Sequence, residues 1–218
     1  MNPPPIVAAM VWLCILWAAV ALGAQVIVSR GSGRRDFSSR AGSPGKGVIH
    51  SFTAAMMPSR KESARRHPVK YAAGVLLHAG AIFSLASIPL ILLAPESGAR
   101  MLFLCRPLFV LSLIAGLVLV AGRLASRNLR AISAPEDHFA VLAVCGLLGM
   151  ALGSSVGSRS QLPFLVYAAL IFLYLPLGKL RHCVFFFAAK ADYGYRLGYR
   201  GVYPPRKIIS ERPHVDRQ

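Results

Sequence analysis

The chain has 218 residues, with 25 Lys and Arg against 8 Asp and Glu, a formal charge of +17, yet 55% of it is hydrophobic and its mean hydropathy is +0.54. That apolar mass excludes an intrinsically disordered chain, and with only 15% charged residues it fits a water-soluble nucleic-acid binder poorly. Lipid-facing helices flanked by basic loops account for both numbers at once, so the composition predicts an integral membrane protein.

Five apolar stretches approach the ~20 helical residues that cross a hydrocarbon core of about 30 Å. The first, residues 6–28, carries no charge, exceeds the apolar region of a secretory signal and has no basic lead-in, so it reads as a retained span. A basic loop, 29–68, follows; its Gly/Ser/Arg-rich opening from Gly31 to Gly47 is expected to have little fixed structure of its own. The second stretch, 71–93, is interrupted by His78 and Pro89, and the third, 101–121, carries Arg106 and Pro107 near its start. The fourth, 139–156, is rich in Gly and Ala, which suits close packing against other helices. The fifth begins at Leu162 and either stops near Leu177 or continues through Lys179, Arg181 and His182 to Ala189. A basic tail, 191–218, completes the chain. There is no internal repeat and no glycine-rich phosphate loop.

Basic residues give the orientation. With the 29–68 loop, residues 123–138 and everything after Gly178 on one side, together with Lys70, that side holds 22 of the 25, leaving Arg100, Arg106 and Arg159. The positive-inside rule then predicts an all-α bundle of five transmembrane helices, N-terminus outside and C-terminus inside. The same topology explains the basic clusters without nucleic acid.

Cys14, Cys105, Cys145 and Cys183 share no short spacing and form no metal-ligand or haem-attachment motif, so they read as small apolar residues. The histidines are more informative. An imidazole inside a lipid-spanning helix is costly unless it is paired, which singles out His78. It stands eight residues from Lys70, roughly 12 Å along a helix axis. If the fifth helix runs on to Lys190, His182 stands eight residues from its inner end, at the same depth. Two imidazoles on different helices are a common way to hold a low-spin haem b, and Lys179 and Arg181 beside His182 are candidate propionate contacts. The competing reading has His78 bonded to a neighbouring helix and His182 as an interfacial basic residue. Arg106 and His138 are candidate quinone or propionate contacts, with Arg106 alternatively reaching for the outer interface. The tail from Arg196 to Arg217, with Tyr193, Tyr195, Tyr199 and Tyr203, reads either as a docking segment for an inner-side redox partner or as a segment drawn to lipid headgroups.

Three motifs carry a resemblance. Pro176, Leu177, Gly178, Lys179, Leu180 and His182 follow the order Pro, bulky apolar, small, basic, Leu-x-His; Leu76 to Phe83 places His78 two residues before Gly80; and Arg123, Leu124, Ser126, Arg130 and Ala131 precede Asp137. In this order, on these spans, they resemble the γ subunit family of membrane-bound respiratory nitrate reductase, five-span cytochromes b that also serve heterodisulfide-reductase-like complexes. The resemblance covers about residues 5–190. It implies a bacterial or archaeal cell-membrane subunit that exchanges electrons between the (mena)quinone pool and a cytoplasmic iron–sulfur or flavin oxidoreductase.

Family members carry four haem-ligand histidines, two on the second span ten residues apart and two on the fifth eighteen apart. Here Ile88 stands ten after His78, and Phe164 stands eighteen before His182. Both missing ligands belong to the outer haem. The resemblance therefore implies a single haem b, with His78 and His182 on iron and Ile88 and Phe164 filling the space of the second porphyrin. With the outer carrier gone, the quinone is handled in the inner half, or a partner supplies the missing carrier. The reading from a different class is a haem-free membrane anchor for a soluble redox enzyme; a transporter fits least, since paired intramembrane charges and symmetric broken helices are lacking.

Overall fold

The computed structural model describes residues 3–31, 43–156 and 161–197. Every regular element among them is helical: α1 Pro5–Gly31, α2 Pro44–Phe52, α3 Glu62–Arg66, α4 Pro68–Leu93, α5 Pro95–Leu104, α6 Arg106–Ala125, α7 Arg127–Ile132, α8 Pro135–Ser154, α9 Leu162–Tyr174 and α10 His182–Leu197, with 3₁₀ turns at Ala54–Met56, Pro58–Arg60 and Lys179–Arg181. Four helices, α1, α4, α6 and α8, are long and apolar enough to cross a membrane, and α9 with the broken segment after it raises the number to five. The all-helical, multi-span architecture is thus the one the composition predicts.

Several boundaries move, each at a proline. The third span starts at Arg106 rather than Met101, because Pro107 cannot donate to the carbonyl four residues back and α5 ends at Leu104. The fourth starts at Pro135, a residue type suited to the first helical turn. The fifth stretch is not one helix to Ala189: α9 stops at Tyr174, and Pro176 has no N–H to carry the ladder past it. The Leu175 amide still reaches Ile171 O, but the next two donors, Leu177 and Gly178, both turn back onto Tyr174 O. In the 29–68 loop, α2 begins at Pro44, so the end of the stretch expected to lack structure is helical. The Arg/Gly/Ser-rich residues 32–42, Arg159 and the tail beyond Leu197, including Tyr199 and Tyr203, lie outside the described residues.

The chain divides into two compact units, Met1–Gln25 with His67–Arg181, and Val26–Arg66 with His182–Gln218. In unit 1, α4 packs on α6, α6 on α8 and α8 on α9. Small residues let these backbones close, as expected where lipid removes the hydrophobic drive between helices. A Cβ on Gly80 would collide with Ser112, and one on Gly116 would lie 2.5 Å from Cys145 Sγ. A Cβ on Gly146 would strike the Tyr167 hydroxyl, which donates to Ala143 O at 3.1 Å. Ser112 Oγ donates to Leu76 O at 2.7 Å, a helix-to-helix hydrogen bond inside the apolar layer. Ile88, Leu148, Phe109 and Phe164 are fully buried. The Gly/Ala-rich α8 accordingly buries Ala140, Ala143 and Ala151, the close-packing role its composition predicts.

In unit 2, α2 packs along α10. The two cross at a pair of glycines: a Cβ on Gly194 would lie 2.5 Å from Gly47 O and 2.7 Å from Val48 Cα. Ser51 Oγ lies within hydrogen-bonding distance of Lys190 O, at 2.9 Å, and Phe52 stacks on Phe187 with ring centroids 6.1 Å apart.

Candidate functional site

His78 sits in the third turn of α4, exposed on the surface of unit 1. Its Nδ1 lies 2.7 Å from Gly74 O. A carbonyl can only accept, so Nδ1 carries the proton in this contact. Gly74 contributes because nothing stands within 4 Å of its missing Cβ, which leaves the groove along that face of the helix open. This is the arrangement a ligating histidine needs: the second nitrogen tied to a carbonyl and the ring aimed.

His182 opens α10 and is exposed, but it belongs to unit 2. The expectation of equal depth for the two histidines rested on one helix running from residue 162 to 189. The break after Tyr174 removes that premise. Within unit 1 the depth of His78 follows from contacts. Gly80 lies against Leu148, eleven residues beyond Asp137, so His78 stands about nine residues, ~13 Å, from the level of Asp137.

Lys179 does not stand open for a propionate. Its Nζ lies 2.6 Å from Asp137 Oδ1, while Asp137 Oδ2 accepts the Ala134 amide at 2.8 Å. One carboxylate thus closes the start of α8 and anchors the segment after the helix break. Arg181, on the 3₁₀ turn beside it, is exposed. Sequence reasoning noticed Asp137 only as part of a motif. Its position three residues after Ala134, with Pro135 opening the helix, is a helix-start signal that foretells the capping contact; the ion pair needs the tertiary structure.

Arg106 and His138, grouped as quinone or propionate contacts, lie at opposite ends of α8. The Arg106 guanidinium donates to Ser155 O and, through Nε at 3.2 Å, to Ser155 Oγ, and it covers the Phe103 ring at 4.9 Å. It therefore caps the carboxyl end of α8, where free carbonyls and the helix dipole favour a cation. His138 sits in the first turn of α8, half-buried, and its Nδ1 makes no hydrogen bond among the described residues. The Tyr174 hydroxyl and Gln25 Oε1, beside the helix break, share this condition, as do Ser84 Oγ and Gln161 Oε1 elsewhere in the unit.

The break itself is served from α1. Trp17 Nε1 donates to Leu173 O at 3.3 Å and Gln25 Nε2 to Pro176 O at 2.9 Å, so two carbonyls with no helical donor are satisfied inside the apolar layer. Gly178 admits the Tyr174 ring, which stands edge-on to Phe139 at 5.1 Å. Polar residues on an otherwise apolar first span were the available signal for this support. Among the described residues, no three His, Cys, Asp or Glu side chains come together as a metal site; a haem needs only two.

No protein-family model, curated protein or solved structure matches the chain.

Proposed function

We propose that the protein is the membrane subunit of an electron-transfer complex, with its N-terminus outside and its C-terminus in the cytoplasm. It passes electrons between the quinone pool and a cytoplasmic iron–sulfur or flavin oxidoreductase through one haem b ligated by His78 and His182. The observation that carries the reading is the His78–Gly74 contact: an imidazole within a span has its Nδ1 2.7 Å from Gly74 O, the backbone-carbonyl contact that the second nitrogen of a ligating histidine makes. Ile88 and Phe164, at the two positions where the family that the motifs resemble has its second ligand pair, are both completely buried, which supports side chains rather than a second porphyrin there.

Bound there, the haem supplies one-electron transfer. The chain's own contribution is positional. α4 fixes the His78 ring, the Asp137–Lys179 pair holds the segment leading to His182, and Arg181 is the nearby cation not engaged by Asp137. His138 rather than Arg106 is then the residue to test as a quinone contact, because the Arg106 guanidinium is committed to Ser155.

The second reading, a haem-free anchor for a soluble redox enzyme, draws on the break after Tyr174, which puts His182 at the start of a separate helix. Optical spectra of the detergent-purified chain separate the two. The cytochrome reading expects a reduced b-type α-band at about one haem per chain, lost in His78→Ala and in His182→Ala, with helical content unchanged. A wild-type protein without haem overturns it, and two haems overturn the single-site assignment.

A further inference from the structure

Unit 2 combines three properties that a purely water-facing domain has no use for. Its described residues carry eight Lys or Arg against two acids. Both acids are already engaged within their own helices, Glu62 with Arg66 at 2.6 Å and Asp192 with Arg196 at 3.0 Å. Large apolar side chains also stand open among the cations: Ile49 is 64% exposed, Phe187 60% and Tyr193 56%.

Several of these groups adjoin one another. Ile49 lies one turn from Phe52, Phe52 stacks on Phe187, and Phe187 meets Phe186 edge-to-face at 5.5 Å. Lys190 Nζ stands 6.0 Å from the Phe186 ring centroid. The Gly47–Gly194 crossing and the Ser51–Lys190 contact hold the two helices as one platform although the latter pair is 139 residues apart in sequence. The platform is also tethered to lipid by the chain. Its first residues, Val26–Gly31, are the last two turns of α1, itself a candidate span, and α4, another, begins two residues after Arg66. At 27 residues, α1 is roughly 40 Å long, about 10 Å more than a hydrocarbon core, so its end emerges into the headgroup layer.

We propose that α2 and α10 lie flat in the inner headgroup layer as a clasped pair of interfacial helices that bind anionic phospholipid. The exposed Phe and Tyr rings enter the acyl boundary, and Lys46 and Lys190 take the phosphates. Aromatic and basic residues mixed on one surface, in helices of modest hydrophobicity, are what such a position requires. α10 is then not the second half of a span, and the fifth crossing is completed by residues 162–181. The inference stands independently of haem.

The test uses the full-length chain in nanodiscs. With Trp12→Phe and Trp17→Phe as background, Phe186→Trp places a single indole fluorophore on the surface. Phosphatidylcholine brominated near the headgroup end of its acyl chains, mixed with phosphatidylglycerol, is expected to quench most of its emission. Lys46→Glu with Lys190→Glu is expected to relieve that quenching and to abolish any rise in melting temperature that phosphatidylglycerol gives the wild-type chain. An indole that stays bright in the Phe186→Trp variant, as it would on a face turned to water and a protein partner, overturns the proposal. Quenching that is the same with and without phosphatidylglycerol overturns its anionic part. Should the fluorophore variant fail to fold, the melting temperature of the wild-type chain with and without phosphatidylglycerol decides: no difference refutes anionic binding.

Discussion

The two units use the same device for different ends. In unit 1, glycines at 80, 116 and 146 bring long apolar helices together, and four side chains reach a helix backbone across the layer: Ser112 on α4, Tyr167 on α8, Trp17 and Gln25 on the carbonyls freed near Pro176. In unit 2, one glycine pair joins two helices of which neither is a span on its own, and the aromatic side chains remain outside. Glycine contact inside lipid builds a core; at the edge of the layer it builds a platform. The difference teaches that close backbone approach does not itself mark a span, and that the destination of the neighbouring large side chains does.

The largest effect expected from breaking this comparison is at Gly80. A Leu there has nowhere to go between Ser112 and Leu148, so Gly80→Leu is expected to lose the folded bundle, a cost of at least ~3 kcal/mol, seen as aggregation in mild detergent. Gly74→Ala lies six residues earlier on the same helix with nothing within 4 Å of the new methyl, and is expected to be neutral or to stabilise by up to ~1 kcal/mol. Gly194→Leu comes next. It forces α10 off the Gly47 backbone, and hydrogen exchange is expected to report α2 opening while α4, α6 and α8 keep their protection. Simultaneous loss of protection in both units would show that they do not fold separately.

Much of unit 1 was legible in the sequence because its signals are additive. Long apolar runs, proline at the start of α4, α6 and α8, and a charge asymmetry each point to the same helices, and a misjudged end such as Met101 for Arg106 shifts a boundary without changing the bundle. The Gly/Ala content of α8 foretold its packing for the same reason. Unit 2 was not legible. α2 has nine residues and lies next to a Gly/Ser/Arg-rich stretch, and its partner lies 139 residues away, so no local period announces the pair. The candidate site divides along the same line. His78 is conspicuous as an imidazole in an apolar run, and its own helix supplies the carbonyl that orients it. Lys179, Arg106 and Asp137 looked like ligand contacts or motif letters, and only the folded chain reveals them as one another's or a helix end's partners.

Arg106 measures how much a unit 1 contact is worth at the rim. Arg106→Ala removes two donors from Ser155 and the cation from the α8 dipole, and a loss of about 1–3 kcal/mol is expected in the melting of the detergent-solubilised chain. Arg106→Lys is expected to recover only part of that loss, since one ammonium does not reproduce the planar fork.

The smallest effect lies deeper, at Tyr167, and its size is the informative part. Tyr167→Phe deletes only the hydroxyl that donates to Ala143 O across the α8–α9 contact. That carbonyl lies within α8, where it already accepts the helical hydrogen bond from Leu147, so the acceptor is not stranded when Tyr167 is lost. Interhelical hydrogen bonds inside lipid average roughly 0.6 kcal/mol, because the membrane-embedded reference state finds other partners. The expected cost is therefore about 0.5 kcal/mol. The missing hydroxyl removes only the nearest of the atoms that a Cβ on Gly146 would meet, and the ring carbon Cζ still stands 2.7 Å from that position. Gly146→Ala is therefore expected to stay destabilising in the Tyr167→Phe background, by less than in the wild type, and a double-mutant cycle on thermal stability measures the hydroxyl's share. Strictly additive costs would mean that the ring, rather than the hydroxyl, sets the approach of α8 to α9.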